Sequence, residues 1–557
     1  MAATVQAKSI EPSRAVGGPR LTTCVAILVL LVPIVRAQPQ AAVAGKDSAA
    51  AERHRQEGMS LLEQRKMDEA LARFRSAVEA NPADAVSQDF IGVILSDQGY
   101  AEDAITAFAK AIRIDAALCP AHYHLALVYA RTGRTTEAVE EYQQALRLKP
   151  DLTEARFGLS AACWSLGDLD GAIWLLQQVV TAKWESREAR YNLGLALWER
   201  YRNPRKLPLK ADLDAAVVHL RAALEERPNQ PQILLALGQI LAESQDPASG
   251  VGMLRKAEEL APTNPACAYN LGQALRMKGD LDAAAAEFRK ALRLDPNNVQ
   301  ARRSLGLVLR QEGDLQAAAA ELRLASSQQR EDAEVRHNLG AVLLGLGDLS
   351  GAIAELREAV RLDPYFSEAR LTLAQALQKA GEDEAARKER EEAQRIDALR
   401  RARGRALVLL QSAADHQQAG DTAKALGEVR EAVQLSPDFP EAYFQLAAVL
   451  QRSSASLDEV AGALRKVIEL DPDYALAHYQ LALVRRRQGM ARLAKFEMRR
   501  ALELAPGTYN AHRALAEMAI QERDWKHAVT EYQMYLAWNP DDHEVQKAIS
   551  RLKARVP

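Results

Sequence analysis

Prolines recur along this chain at a fixed interval. Pro228, Pro262 and Pro296 follow one another at steps of 34, as do Pro472, Pro506 and Pro540, while Pro82 to Pro150 and Pro296 to Pro364 are double steps. Twelve residues before each proline stands a small or compact residue, among them Ala70, Ala138, Ala216, Gly250, Ala284, Ala352 and Ala528. Eight before it stands a bulky apolar one, such as Phe74, Tyr142, Phe288, Leu356, Met498 and Tyr532. One helix cannot carry a 34-residue period interrupted in this way. Near the middle of their repeats lie Gly99, Gly133, Gly167, Gly279, Gly313, Gly347, Gly381, Gly420 and Gly489. Glycine there supplies the left-handed residue that ends a helix. Asp168, Asp280, Asp314, Asp348 and Asp421 follow directly, where a carboxylate can cap the next helix. Proline then stops the second helix or opens the following one. Each repeat therefore reads as two antiparallel helices.

Composition agrees with this reading and excludes alternatives. Aromatic residues make up 5% of the 557-residue chain, and alanine, leucine, arginine and glutamate, which favour helices, dominate it. A large β-domain would need more aromatic and β-branched residues. Four cysteines exclude a disulfide-built scaffold. The 72 basic and 74 acidic residues nearly cancel, so no strong basic field exists to hold nucleic acid.

The blocks Tyr191-Asn192-Leu193-Gly194, Tyr269-Asn270-Leu271-Gly272 and His337-Asn338-Leu339-Gly340, with the alanine, aromatic and Leu-Asp-Pro signals that follow, resemble the tetratricopeptide repeat. Its 34-residue helix–turn–helix is a known period. About fourteen such repeats fit in frame, from 51–84 to 509–542. The resemblance implies an all-α, right-handed superhelical solenoid whose first helices line a concave face. None of the repeats carries tryptophan at its fourth position, where the family favours it.

Three places break the frame. Residues 201–210 insert about ten residues between the helices of repeat five. Residues 383–403 are highly charged, lack the expected proline, and place Arg390 in the bulky apolar slot; this predicts a long helix and a seam between two stacks. One extra residue lengthens a turn near 453–457. The expected organisation is repeats one to ten over 51–400, repeats eleven to fourteen over 401–542, and a capping helix over 543–557 that closes the last interface.

The N-terminus reads as an export signal over residues 1–37. Lys8, Arg14 and Arg20 precede an apolar run, Leu21 to Val35, and Val35-Arg36-Ala37 offers a cleavage site. The run is short for a spanning helix, which needs about 20 apolar residues, so a membrane tether is expected only if this segment is retained. An Ala/Gln-rich linker, 38–50, follows. Cleavage leaves Cys119, Cys163 and Cys267; an odd count argues against full pairing, and these thiols read as buried packing.

Motifs for chemistry are lacking. The sequence holds no phosphate loop, zinc helix or C-x-x-C pair, and no nucleophile elbow. No cofactor, metal or catalytic residue is expected. His122 and His124, two apart on a helix, face different ways. Long tetratricopeptide arrays also resemble the N-terminal part of O-linked N-acetylglucosamine transferases, but the residues after the last repeat are too few for a catalytic region, so that activity does not carry over.

Binding is the better expectation. Trp164 and Trp198 are one full period apart, at the inward-facing twelfth position that the family implies for adjacent repeats. Tyr191 and the basic insertion with Arg202 and Arg205 lie close in sequence. Trp, Tyr and Arg are enriched in binding hot spots; the alternative is ordinary packing between helices. If the rings bind a partner, replacing both tryptophans by alanine abolishes capture and leaves unfolding unchanged. Asn192, Asn270 and Asn338 occupy the inward sixth position, where amides either bond a peptide backbone or satisfy their neighbours. The arginine-rich thirteenth repeat reads as a solvated face. Taken together, these features predict a non-enzymatic scaffold binding proteins or peptides, exported to the periplasm or cell envelope or secreted. The alternatives are a glycan- or peptidoglycan-binding module and a noncatalytic subunit of an envelope enzyme.

Overall fold

The computed structural model describes residues 48–182, 186–203, 210–244, 246–453 and 455–556. The expected export signal and Arg205 lie outside them. Among the described residues there are 28 helices and no strand, as an all-α solenoid requires. None of these helices is long and apolar enough to cross a membrane. The helices fall into two compact units. The first, described from Ser48, ends at Leu148 and holds three helix pairs; the second begins at Lys149 and holds the rest.

The punctuation works as the sequence implies. All nine mid-repeat glycines have positive φ, Gly279 at +89° for example. A β-carbon there would strain the backbone, and glycine has none. In repeats one and fourteen the same turn is made by Arg65 (φ 60°) and Arg523 (φ 63°). Asp168, Asp314, Asp348 and Asp421 accept hydrogen bonds from the third residue onward, at 2.9 to 3.1 Å. Asp280 makes no such side-chain bond. The extra residue near 453–457 accompanies a reciprocal cap, in which Ser456 and Glu459 each bond the other's backbone N–H.

Within a repeat, the two helices touch through a glycine and a bulky residue. A β-carbon at Gly306 or Gly340 would stand 2.6 Å from Leu322 Cγ or Leu356 Cγ, sixteen positions ahead. At Gly194 the same 2.7 Å approach is to Leu220, which lies beyond the insertion. The inserted residues therefore leave the packing register intact. Arg200 fixes the base of the insertion: its guanidinium forks onto Asp212 at 2.7 and 2.8 Å and reaches Asp170 of repeat four at 3.0 Å. The small residues of the second helices, Ala70, Ala138, Ala216, Ala284 and Ala352, are fully buried. Cys163 and Cys267 are buried free thiols, and Cys119 is half-buried, its thiol donating to the Ala145 carbonyl at 3.4 Å.

A base replaces the absent fourth-position tryptophan. Arg302, Arg336 and Arg370, at that position, bond the backbone carbonyl six positions back and a glutamate nineteen positions ahead, Glu321, Glu355 and Glu389. His122 and His478 do the same with Glu141 and Glu497, and His512 bonds Glu531. Each rung ties the entry of the first helix to the middle of the second. Burial works against a charge on His478, but the bonds to Glu497 and the Pro472 carbonyl outweigh it and hold its pKa above the ordinary histidine value. Repeat seven has Ala268 at this position, so Glu287 lacks its base. Burial and the neighbouring Glu258 carboxylate push Glu287 up to about 7, with Lys290 opposing.

The charged segment forms one continuous helix, Asp383–Gln418. At 1.5 Å per residue it is roughly 54 Å long. Its first half pairs with the helix Ser367–Lys379 and its second half with Thr422–Leu435, so one rod serves repeats ten and eleven. Arg390 bonds Gln378 Oε1 at 3.0 Å where other repeats place an apolar side chain. The last helix, His543–Lys553, buries Val545, Ile549 and Leu552 and leaves its other side polar.

Candidate binding surface

The first helices of repeats four and five, Thr153–Ser165 and Ser186–Tyr201, bring Phe157, Trp164, Tyr191 and Trp198 into one apolar cluster. Leu237 and Leu241 of repeat six complete it. The shared register thus puts the two tryptophans together, as expected, but not equivalently. Trp198 is only 9% exposed. Its indole N–H is buried with no acceptor, and the Arg202 guanidinium lies 5.1 Å from its ring centre. Trp164 is half-buried at the cluster's edge, and its N–H donates to the Glu199 carboxylate at 2.7 Å. The Trp198 ring is thus packed away, while Trp164 keeps part of its surface exposed. Arg202 is exposed and stands 4.0 Å from Glu243. What remains accessible in this cluster is a rim: the half-buried Trp164 and Tyr191, flanked by the exposed Arg202 and Glu199.

The sixth-position amides lie deeper. Asn192, Asn270 and Asn338 are all buried, and Asn270 Oδ1 accepts from Gln239 of the preceding repeat at 2.6 Å. That bond locks neighbouring first helices in register. Three of the seven bases of repeat thirteen are held in ion pairs: Arg486 meets Glu517 at 2.8 Å, Arg500 meets Asp473 and Glu503 at 3.3 Å, and Lys495 meets Glu522. His122 and His124 bond different partners, Glu141 and Asp89. Among the described residues no three His, Cys, Asp or Glu side chains are grouped to hold a metal ion.

Two arrangements lie outside the sequence-based expectations. The fifth position of the first helices carries half-buried rings in Phe157, Tyr191, Tyr269 and His337. The Tyr269 hydroxyl accepts from Gln273 at 3.0 Å, and the His337 ring packs 4.9 Å from Phe366. Burial and Arg310 hold His337 below the usual histidine pKa. The common register of these rings is visible in the sequence, at the position next to the asparagines. The second concerns Trp174, which joins neither tryptophan of the cluster. Its ring centre lies 5.1 Å from Tyr509 and 5.8 Å from Trp538.

Family models described as tetratricopeptide repeat match residues 55–118, 123–186, 210–265 and 269–333, and a second of the same description matches 343–412. Together they span more than half the chain. Among curated proteins, none matches. Similar solved structures include the APC/C hetero-tetramer Cut9–Hcn1, at 14% identity, covering 91% of this chain and 97% of that one with a TM-score of 0.34. Yeast Tom70 is 14% identical over 81% of this chain and 97% of its own, with a TM-score of 0.32. MamA from Desulfovibrio magneticus RS-1 is 22% identical over 30% of this chain and 94% of its own, with a TM-score of 0.29.

Proposed function

Because the chain belongs to the tetratricopeptide repeat family, we propose that it is a non-enzymatic scaffold that binds protein or peptide segments along the concave face of its first helices, in an exported complex of the periplasm or cell envelope. The observation that carries this reading is the rim of repeats four and five. There an aromatic edge, a cation and a carboxylate stand side by side on a rigid helical base: Trp164, Tyr191, Arg202 and Glu199. Such a rim can grip an apolar side chain and orient a charged neighbour. The half-buried rings of Tyr269 and His337 extend the same row of first helices. Asn270, bonded to Gln239, then acts as a register lock behind the surface. Export rests on the charged, apolar and small-residue succession of residues 1–37.

The test has two parts. N-terminal sequencing of the chain recovered from its own envelope fraction should begin at Gln38; a start at Met1, or recovery only from the cytosol, refutes export. Partners captured by the wild-type chain should be lost with Trp164→Ala and retained with a substitution on the opposite helix, Val218→Ala, whose side chain is 63% exposed. Equal capture by both variants refutes the assigned surface.

A further inference from the structure

The second compact unit touches itself between repeats that are far apart in the chain. The Asp168 carboxylate caps the helix Leu169–Thr181 in repeat four: one oxygen accepts from the Gly171 N–H at 2.9 Å. Its other oxygen accepts from the Gly507 N–H, in the turn between repeats thirteen and fourteen, at 2.6 Å and a sequence separation of 339. The two glycines meet backbone to backbone. A β-carbon on Gly507 would lie 2.4 Å from Gly171 Cα, and one on Gly171 would lie 2.9 Å from Gly507 Cα. Beside them Trp174 packs against Tyr509 and Trp538, which are themselves stacked at 5.8 Å and 10°.

The repeat frame shows that these residues depart from their equivalents. The residue after the turn proline is Ala83, Asp151, Asn229, Thr263, Asn297, Tyr365, Asp438, Asp473 or Asp541 elsewhere, and glycine only at 507. Trp174 holds a position that faces solvent in other repeats, where Val218 and Phe496 are each 63% exposed. Trp538 holds one where Ile114, Leu260 and Leu294 are 38 to 41% exposed, yet it is fully buried. A missing side chain and two large rings thus stand where the frame requires none of them, and they meet. The contact is also reversible in its chemistry. The Trp538 indole N–H is buried without an acceptor and regains water when the contact opens, so closure works against an unmet polar group.

We propose that Asp168, Trp174, Gly507 and Trp538 form an intramolecular clasp that closes the second unit on itself, and that opening it admits an extended polypeptide to the inner face. The admitting role rests on the scaffold reading; closure itself does not. Two variants open the clasp while keeping residues the repeat already tolerates. Gly507→Asp places the side chain of Asp151, Asp473 and Asp541 against Asp168, and Trp174→Thr installs the residue found there as Thr106 and Thr530. Each should enlarge the radius of gyration in X-ray scattering and make Trp538 quenchable by acrylamide, with helical circular dichroism unchanged. Unchanged scattering and quenching in Trp174→Thr overturns closure. The binding probe is reduced, alkylated α-lactalbumin, an extended chain. If the open form is about a tenth of the wild-type population, both variants bind it about tenfold more tightly. Equal affinity overturns the admitting role. No binding by any form overturns that role together with the scaffold reading, while scattering still judges closure.

Discussion

Trp198 decides between two uses of an aromatic side chain, and replacing it separates them. Trp198→Ala removes an indole that is nine-tenths buried in a cluster joining repeats four, five and six. Large-to-small changes of this kind cost about 3–5 kcal/mol. Two smaller effects modify that figure. The lost stacking of Arg202 adds about 0.5–1 kcal/mol, and removing a buried N–H with no acceptor returns about 1–3 kcal/mol. The net expectation is a loss of about 2–4 kcal/mol, concentrated in repeats four to six. Trp198→Phe keeps most of the packing and removes the unmet N–H, so it should stay within about 1 kcal/mol of wild type. Because a solenoid does not unfold as one two-state body, native-state hydrogen exchange at amides 193–201 is the appropriate assay. Faster exchange in the alanine variant, and near-normal exchange in the phenylalanine variant, supports a packing role. Unchanged exchange in Trp198→Ala refutes it and returns the ring to the binding surface. Faster exchange in Trp198→Ala would confine to Trp164 the expectation that the tryptophans can be removed without loss of stability.

Other expectations follow from the turns, the ladder and the helix contacts. Arg523→Gly relieves a left-handed arginine and should stabilise repeat fourteen by about 0.5–1 kcal/mol in denaturant titration; a loss of stability contradicts the strain. Glu287 carries a folded pKa of about 7, above its ordinary value, and His478 is also raised. A raised pKa in the folded state gives stability that is full below the unfolded value and lost as pH rises through the folded one. Thermal stability should therefore fall from pH 6 to pH 8. Glu287→Gln should flatten part of that fall, and an unaltered pH profile would show that Glu287 is not held protonated by burial and Glu258. Gly340→Ala sets a β-carbon 2.6 Å from Leu356 Cγ, where overpacking of about 1–3 kcal/mol exceeds a helix gain of about 1 kcal/mol. The double variant with Leu356→Ala should lose less than the sum of the two single losses; simple additivity would mean that the contact is not tight.

The parts legible in the sequence are those that repeat. Glycine at positive φ and small residues in the second helices follow from a local pattern seen many times, and the long rod shows as a break in that pattern. The fourth-position ladder repeats as well, but a base at one position and a glutamate in the next helix look like ordinary surface charge until the helices pair. The site was legible in position and not in depth. The period puts Trp164 and Trp198 on one row, yet whether that row is open depends on Leu237 and Leu241 of the next repeat. The clasp was least visible. A nearest-neighbour pattern carries no information on contacts between distant repeats, and only the anomaly of Gly507 and Trp174 within the frame pointed there.

The helix Asp383–Gln418 has a consequence for how the chain loses its structure. Elsewhere a turn separates one repeat from the next, so an end can fray by a single hairpin and stop. Repeats ten and eleven own the same rod, and neither can melt while the other stays intact. Unravelling that arrives from either side must consume both hairpins in one step or halt at their edge. The stretch is thus a firebreak in an otherwise divisible molecule, and a protease or a pulling force should leave fragments whose boundaries avoid it.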